Sequence, residues 1–240
     1  MKTLANWVQP MTRANMRPAE NVADSLRERV YRYLANAIYS GKLRHGEFLN
    51  QDAICSELAV SKAPLRDALI RLEAEGFISI LPRKGVFVTP VTLDFVRGAY
   101  QIMGSIESDC INEVFPLLTD DHIRKFEESN RRQMLYLDKQ DFRAYYEENV
   151  YFHNIFLSLS ANTLVQQILT PLRLRLNDLP HRAYACDWEE LNLRDHERFI
   201  ESLRLGNMEG AMFVFRNEHW SFEAHEPYIR RYYRFNDQPG

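Results

Sequence analysis

The chain has 240 residues, enough for one or two domains with a buried core. Hydrophobic residues make up 45% and charged residues 26%, a balance that excludes an intrinsically disordered chain. The net charge of −3 is unevenly spread: residues 1–90 hold 13 Lys and Arg against 9 Asp and Glu, and residues 91–240 hold 17 against 24. A basic first third points to a nucleic-acid module joined to something else.

Residues 1–22 lack periodicity and read as an N-terminal arm. Apolar residues then recur at helical spacing from Val22 to Tyr39, and Gly41 terminates them. Residues 42–49 form a loop into a short strand, and residues 51–58 a short helix. Ser61 caps a helix over 62–75, with Pro64 tolerated in its first turn and Gly76 closing it. Two β-rich segments, 77–81 and 86–89, flank a hairpin tip at Pro82-Arg83-Lys84-Gly85. Residues 91–95 serve as a linker. Beyond it the periodicity predicts only helices, over 93–117, 120–138, 141–159, 162–178, 187–205 and 208–226. The tail from Arg230 is expected to fray.

No apolar run approaches the roughly 18 residues of a membrane span, so no membrane partner is expected. The N-terminus lacks the apolar stretch of a secretory signal. Cys55, Cys110 and Cys186 are too far apart for a disulfide framework or a CxxC metal site, which fits the reducing cytoplasm.

Two short helices, a tight turn and a β-hairpin make a winged helix–turn–helix. Its second helix must protrude into the major groove, so its leading residues should be small or basic. Ser61, Lys62, Ala63 and Arg66 meet that need, while Leu65, Ala68, Leu69 and Leu72 form the inner stripe. Lys62 and Arg66 lie four apart on one face, a spacing that lets both reach phosphate or a guanine edge. At the wing tip, Arg83 and Lys84 sit beside Gly85, whose missing side chain permits close approach to DNA.

The run Ala59-Val-Ser-Lys-Ala-Pro-Leu-Arg-Asp-Ala-Leu-Ile-Arg-Leu-Glu-Ala-Glu-Gly-Phe-Ile78 resembles the GntR family of bacterial transcription regulators. The all-helical remainder resembles its FadR-type branch, whose second domain is called FCD. The resemblance implies a mainly α fold: a winged helix–turn–helix over 23–90 and an all-α effector-binding and dimerisation bundle over 96–235. It places Ser61, Lys62, Ala63 and Arg66 at DNA, with Gly85 as the wing glycine. Lys62 stands where arginine is usual, and lysine lacks the planar fork that grips guanine.

Members of that branch often hold a divalent metal through Asp-x3-His on one helix and a His on each of two later helices. Here the matching positions are Asn149, His153 and His196. The family spacing sets the last ligand 22 residues after the second, which is Glu218, with His219 one beyond. One residue is about 100° on an ideal helix, so the two cannot share a ligand position without local distortion. Glu218 is the favoured ligand, because its carboxylate restores the charge lost at Asn149. The implied ion is one zinc, nickel or manganese per chain.

Glu107 matches a family glutamate of the first bundle helix, but Met103 replaces the arginine that would hold a carboxylate effector. Met103, Glu107, Arg173 and His219 are the candidate pocket residues, with Arg175 and Arg182 as further cations. The resemblance implies a homodimeric repressor on a palindromic double-stranded operator, controlled by a small-molecule effector, an organic acid in many members. Two alternatives stay open: a metal-dependent enzyme domain tethered to a DNA-binding module, and a DNA binder with a vestigial pocket.

Overall fold

The computed structural model describes residues 25–39, 41–176 and 186–233. The predicted N-terminal arm and Arg182 lie outside them. The described residues divide into two compact units, one within 25–91 and 170–176, the other within 92–169 and 186–233.

The first unit contains α1 (Leu26–Tyr39), α2 (Gln51–Leu58), α3 (Lys62–Ala74), β1 (Ile78–Leu81) and β2 (Gly85–Val88). Asn50 Oδ1 accepts the Ala53 N–H at 3.0 Å and starts α2. Ala59, at φ +50°, ends α2, and its neighbour Val60 leads directly to Ser61 and α3. Leu65, Ala68, Leu69 and Leu72 on the inner stripe of α3 pack on Val30, Leu34 and Ile38 of α1 and on Ile78, Val86 and Val88 of the hairpin. Burying each such side chain contributes about 1.5–3 kcal/mol. Strands β1 and β2 are antiparallel, with Ile78 opposite Val88 and Leu81 opposite Gly85. The predicted strand in 42–49 is reduced to a single bridge, Phe48 to Phe87, because Gly46 (φ +77°) turns the chain beside it. The later part of the helix Leu164–Leu176, from Thr170, also belongs to this unit, where Leu174 packs against the core.

The second unit is built from α4 (Leu93–Val114), α5 (Asp120–Asp138), α6 (Phe142–Leu157), the start of α7 (Leu164–Leu176), α8 (Cys186–Arg204), α9 (Met208–Phe213), a π-helical segment Val214–His219 and α10 (Phe222–Tyr233). Thr92, Asp141 and Asn207 each accept a backbone N–H three residues on and so define the starts of α4, α6 and α9. Helix α5 packs along α6 and α8, while α4 runs against α9 and the π-segment. Phe126, Phe152, Phe156, Phe199 and Phe215 meet at its centre, each fully buried, with ring centroids 4.7–6.5 Å apart.

The last predicted helix, 208–226, is two helices. The π-segment and a break at Trp220-Ser221 separate α9 from α10. Beyond the break α10 runs through Pro227 to Tyr233 rather than fraying from Arg230. Pro227 is the sixth residue of α10, so the helix runs on without the hydrogen bond that its N–H would give to the Glu223 carbonyl. Among the described residues no helix is long and apolar enough to cross a membrane.

Candidate functional site: a winged DNA-binding face and a buried histidine cluster

On the first unit, Ser61, Lys62, Ala63, Arg66, Arg83 and Lys84 are all exposed. Ser61 occupies the N-cap position of α3 in extended conformation, yet its hydroxyl makes no capping hydrogen bond. That hydroxyl and the leading N–H groups of α3 therefore remain available to a phosphate. Lys62 is ion-paired with Asp52 of α2, so DNA must compete with an internal carboxylate for that ammonium. At the wing tip Arg83 (φ +63°) and Gly85 (φ +117°) hold left-handed backbone, which keeps the turn tight and both cations at its apex.

Inside the second unit three buried histidines converge from three elements: His153 of α6, His196 of α8 and His219 of the π-segment. One ring nitrogen from each lies within 4.8 Å of the others. Ring centroids are 5.5 Å apart for His153–His196, 5.1 Å for His153–His219 and 4.9 Å for His196–His219. Tetrahedral bonds of about 2.1 Å put donor atoms about 3.4 Å apart, so the nitrogens would draw in around an ion.

Two of the three rings are anchored by a polar partner. Glu107 Oε2 lies 2.9 Å from His153 Nδ1. Asn130 gives its Nδ2 protons to the Leu193 carbonyl, so its Oδ1 accepts from His196 Nδ1 at 3.3 Å. His196 Nε2 is then left with a lone pair, buried and without a partner among the described residues. Phe152 stacks on the same ring at 3.8 Å between centroids and fixes its plane. Burial, reinforced by His153, holds the His196 imidazole well below its ordinary pKa. Burial and the two other rings do the same to His219. Neutral imidazoles with bare nitrogens are the form that binds a metal.

The predicted ligand Glu218 is not part of this cluster. Its carboxylate faces α8, where Oε1 pairs with Arg198 at 2.6 Å. His219 takes the inward position, and the π-segment is the reason. One wide turn absorbs an extra residue, so the ligand falls 23 rather than 22 residues after His196. Asn149 sits one turn before His153 and donates to Gln133 Oε1 of α5 at 3.3 Å. Met103 and Glu107 are fully buried on α4, while Arg173 lies in the part of α7 that belongs to the first unit.

The profile described as "Bacterial regulatory proteins, gntR family" matches residues 26–88, and the FCD domain profile matches residues 99–217. The chain belongs to the GntR family, with an FCD domain. The HTH-type transcriptional repressor RspR of Escherichia coli (strain K12) is 20% identical over 185 residues, 77% of this chain and 81% of that protein. The gluconate operon transcriptional repressor of Bacillus subtilis is 27% identical over 195 residues, 73% and 74% of the two chains. A solved GntR regulator from Rhodococcus sp. RHA1 shares the fold, with a TM-score of 0.68 and 21% identity over 85% of this chain and 97% of that one. This GntR-family protein is a DNA-binding transcription regulator, and its relatives give no support to the tethered metal-dependent enzyme.

Several residues of this GntR protein's site were missed in the sequence. Asn130 and Gln133 interrupt the buried stripe of α5 between Phe126 and Leu137, a polar break at helical spacing that pointed inward. Trp220, Asp195 and His225 carried no such signal. Asp195 Oδ2 is buried with no hydrogen-bond partner among the described residues, 3.9 Å from His219 Nδ1 and 4.0 Å from His225 Nε2, and burial with the Glu218 charge pushes its carboxyl up to about 7. Trp188 Nε1 donates to His225 Nδ1 at 2.7 Å, so His225 gives its Nε2 proton to the Glu218 carbonyl at 3.1 Å. Burial holds His225 down at about 4.

Proposed function

We propose that the protein is a metal-loaded, effector-controlled repressor that binds a palindromic operator in the cytoplasm as a homodimer. The observation that carries this reading is the convergence of His153, His196 and His219 with a buried, unpartnered nitrogen on His196. Three imidazoles favour zinc or nickel over manganese, which prefers oxygen donors. His153, His196 and His219 would hold the ion, and three protein ligands would leave room for an oxygen of a small organic acid. Ser61, Lys62, Ala63 and Arg66 read the major groove, and Arg83, Lys84 and Gly85 of the wing lie along the backbone. Two such modules on a two-fold protein match a two-fold site. An effector regulates only if it binds the DNA-competent and DNA-incompetent states with different affinity.

The test is operator binding by fluorescence anisotropy, with zinc-loaded and metal-stripped protein across a panel of organic acids. Zinc near one per chain, steep salt dependence and release by one acid only in the loaded protein support the reading. A protein that takes up no zinc or nickel after exhaustive soaking overturns the metal part. DNA affinity indifferent to every acid overturns the effector part and leaves the vestigial pocket.

A further inference from the structure

Three imidazoles bring no negative charge to a divalent ion, and the position that would add a carboxylate holds Asn149. A doubly charged ion in a buried site still needs a counter-charge nearby. Glu107 is placed to supply it. Its side chain is fully buried on α4, and Oε2 lies 2.9 Å from His153 Nδ1. The same oxygen accepts the indole N–H of Trp220 at 2.8 Å. An oxygen that accepts from the indole is also the acceptor for the ring, so Nδ1 of His153 carries the proton and Nε2 keeps its lone pair. Glu107 is not one of the three converging groups; it bonds the Nδ1 edge of the His153 ring. Gly104, one turn before it, makes this approach possible, since a Cβ there would meet Trp220 Cβ at 3.0 Å.

We propose that Glu107 is a positioning residue that supplies the site's anion from one shell out, so that three histidines with an outer carboxylate replace three histidines with an inner one. The indole of Trp220 aims that carboxylate. A carboxylate behind a metal-bound imidazole fixes its tautomer and raises its basicity, and losing such a partner weakens metal binding by roughly 10–100-fold.

This inference rests on the metal reading above, and the experiment separates the two. Zinc affinity is measured by competition with a chromophoric chelator on the full chain, for wild type, Glu107→Gln, Trp220→Phe, Asn149→Asp and the double variant Glu107→Gln/Asn149→Asp. Glu107→Gln should weaken zinc by roughly 10–100-fold. The double variant should recover most of that loss, because it returns a carboxylate to the site at a different place. Glu107→Gln should also cost less in the Asn149→Asp background than in wild type, whereas a purely structural glutamate costs the same in both. Trp220→Phe keeps the carboxylate and the packing but removes the bond that aims it, and it should weaken zinc by a smaller factor. In ¹⁵N-resolved spectra of the metal-free wild type, the His153 ring should carry its proton on Nδ1. If Glu107→Gln fails to fold, Trp220→Phe and the His153 tautomer still decide. Undiminished zinc binding in the Glu107 and Trp220 variants, a double variant as weak as Glu107→Gln, or an Nε2-protonated His153 overturns the inference. No zinc binding by the wild type overturns the metal reading itself.

Discussion

The two units carry their functional groups in opposite ways. In the winged unit the candidate groups are exposed, lie within residues 61–85, and are aimed by local devices: a free N-cap serine, a proline in the first helical turn, a hairpin tip with left-handed backbone. In the helical unit they are buried, come from residues 107 to 219, and depend on the registers of four elements. A local site survives small packing changes because its geometry is set within one short stretch of chain. A converging site does not, since one residue of slippage on any contributing helix turns a ligand away by about 100°.

The largest expected effect separates the units outright. His196→Ala should lower zinc affinity by more than 100-fold while leaving the operator affinity of the metal-free protein unchanged. Elemental analysis and anisotropy on the same sample check this, and full metal retention would remove His196 from the site. Acid should act next, on the helical unit through His225. His225 takes a proton near 6.5 when unfolded but only near 4 when folded, so the unfolded chain binds more protons between those values. Its contribution to stability is therefore present above pH 6.5 and is lost as pH falls toward 4, by on the order of 2–3 kcal/mol. Urea titrations from pH 7.5 to 4.5 measure the loss, and His225→Gln should flatten the slope; an unchanged slope would sink the assignment.

Arg66→Ala should weaken the operator by about 1–3 kcal/mol and relax discrimination at one base position, with zinc content unchanged. An equal loss on every sequence would demote Arg66 to a phosphate contact. The smallest effect should come from Asp52→Asn, which frees Lys62 from its internal partner. Exposed pairs of this kind are weak, so operator binding should tighten by less than about fivefold, and the gain should vanish at high salt. Weaker binding would mean that the pair positions Lys62 rather than competing for it.

The winged unit was legible because each of its boundaries is written in a single residue: Ser61 and Gly76 bracket the recognition helix, and Gly85 closes the hairpin. His153 and His196 were legible in the bundle for a similar reason, as each lies inward on an unbroken helix. The third ligand was not. Residue counting assumes one period, and the π-segment changes the period between Val214 and His219, so the choice fell on Glu218. The outer partners were harder still. Glu107 is 46 residues from His153 and 113 from Trp220, and only the packing of α4 against the π-segment joins them.

The π-segment also bears on how such chains are compared. An ungapped alignment puts Glu218 in the column of the last histidine and scores a ligand as replaced, when it has only been displaced by one residue that the wide turn absorbs. Removing one residue from within Val214–Arg216 should straighten the helix, keep the histidine in place and leave zinc affinity within a fewfold of wild type. The column that matters is therefore the one in space, and the wide turn is where an alignment should open its gap.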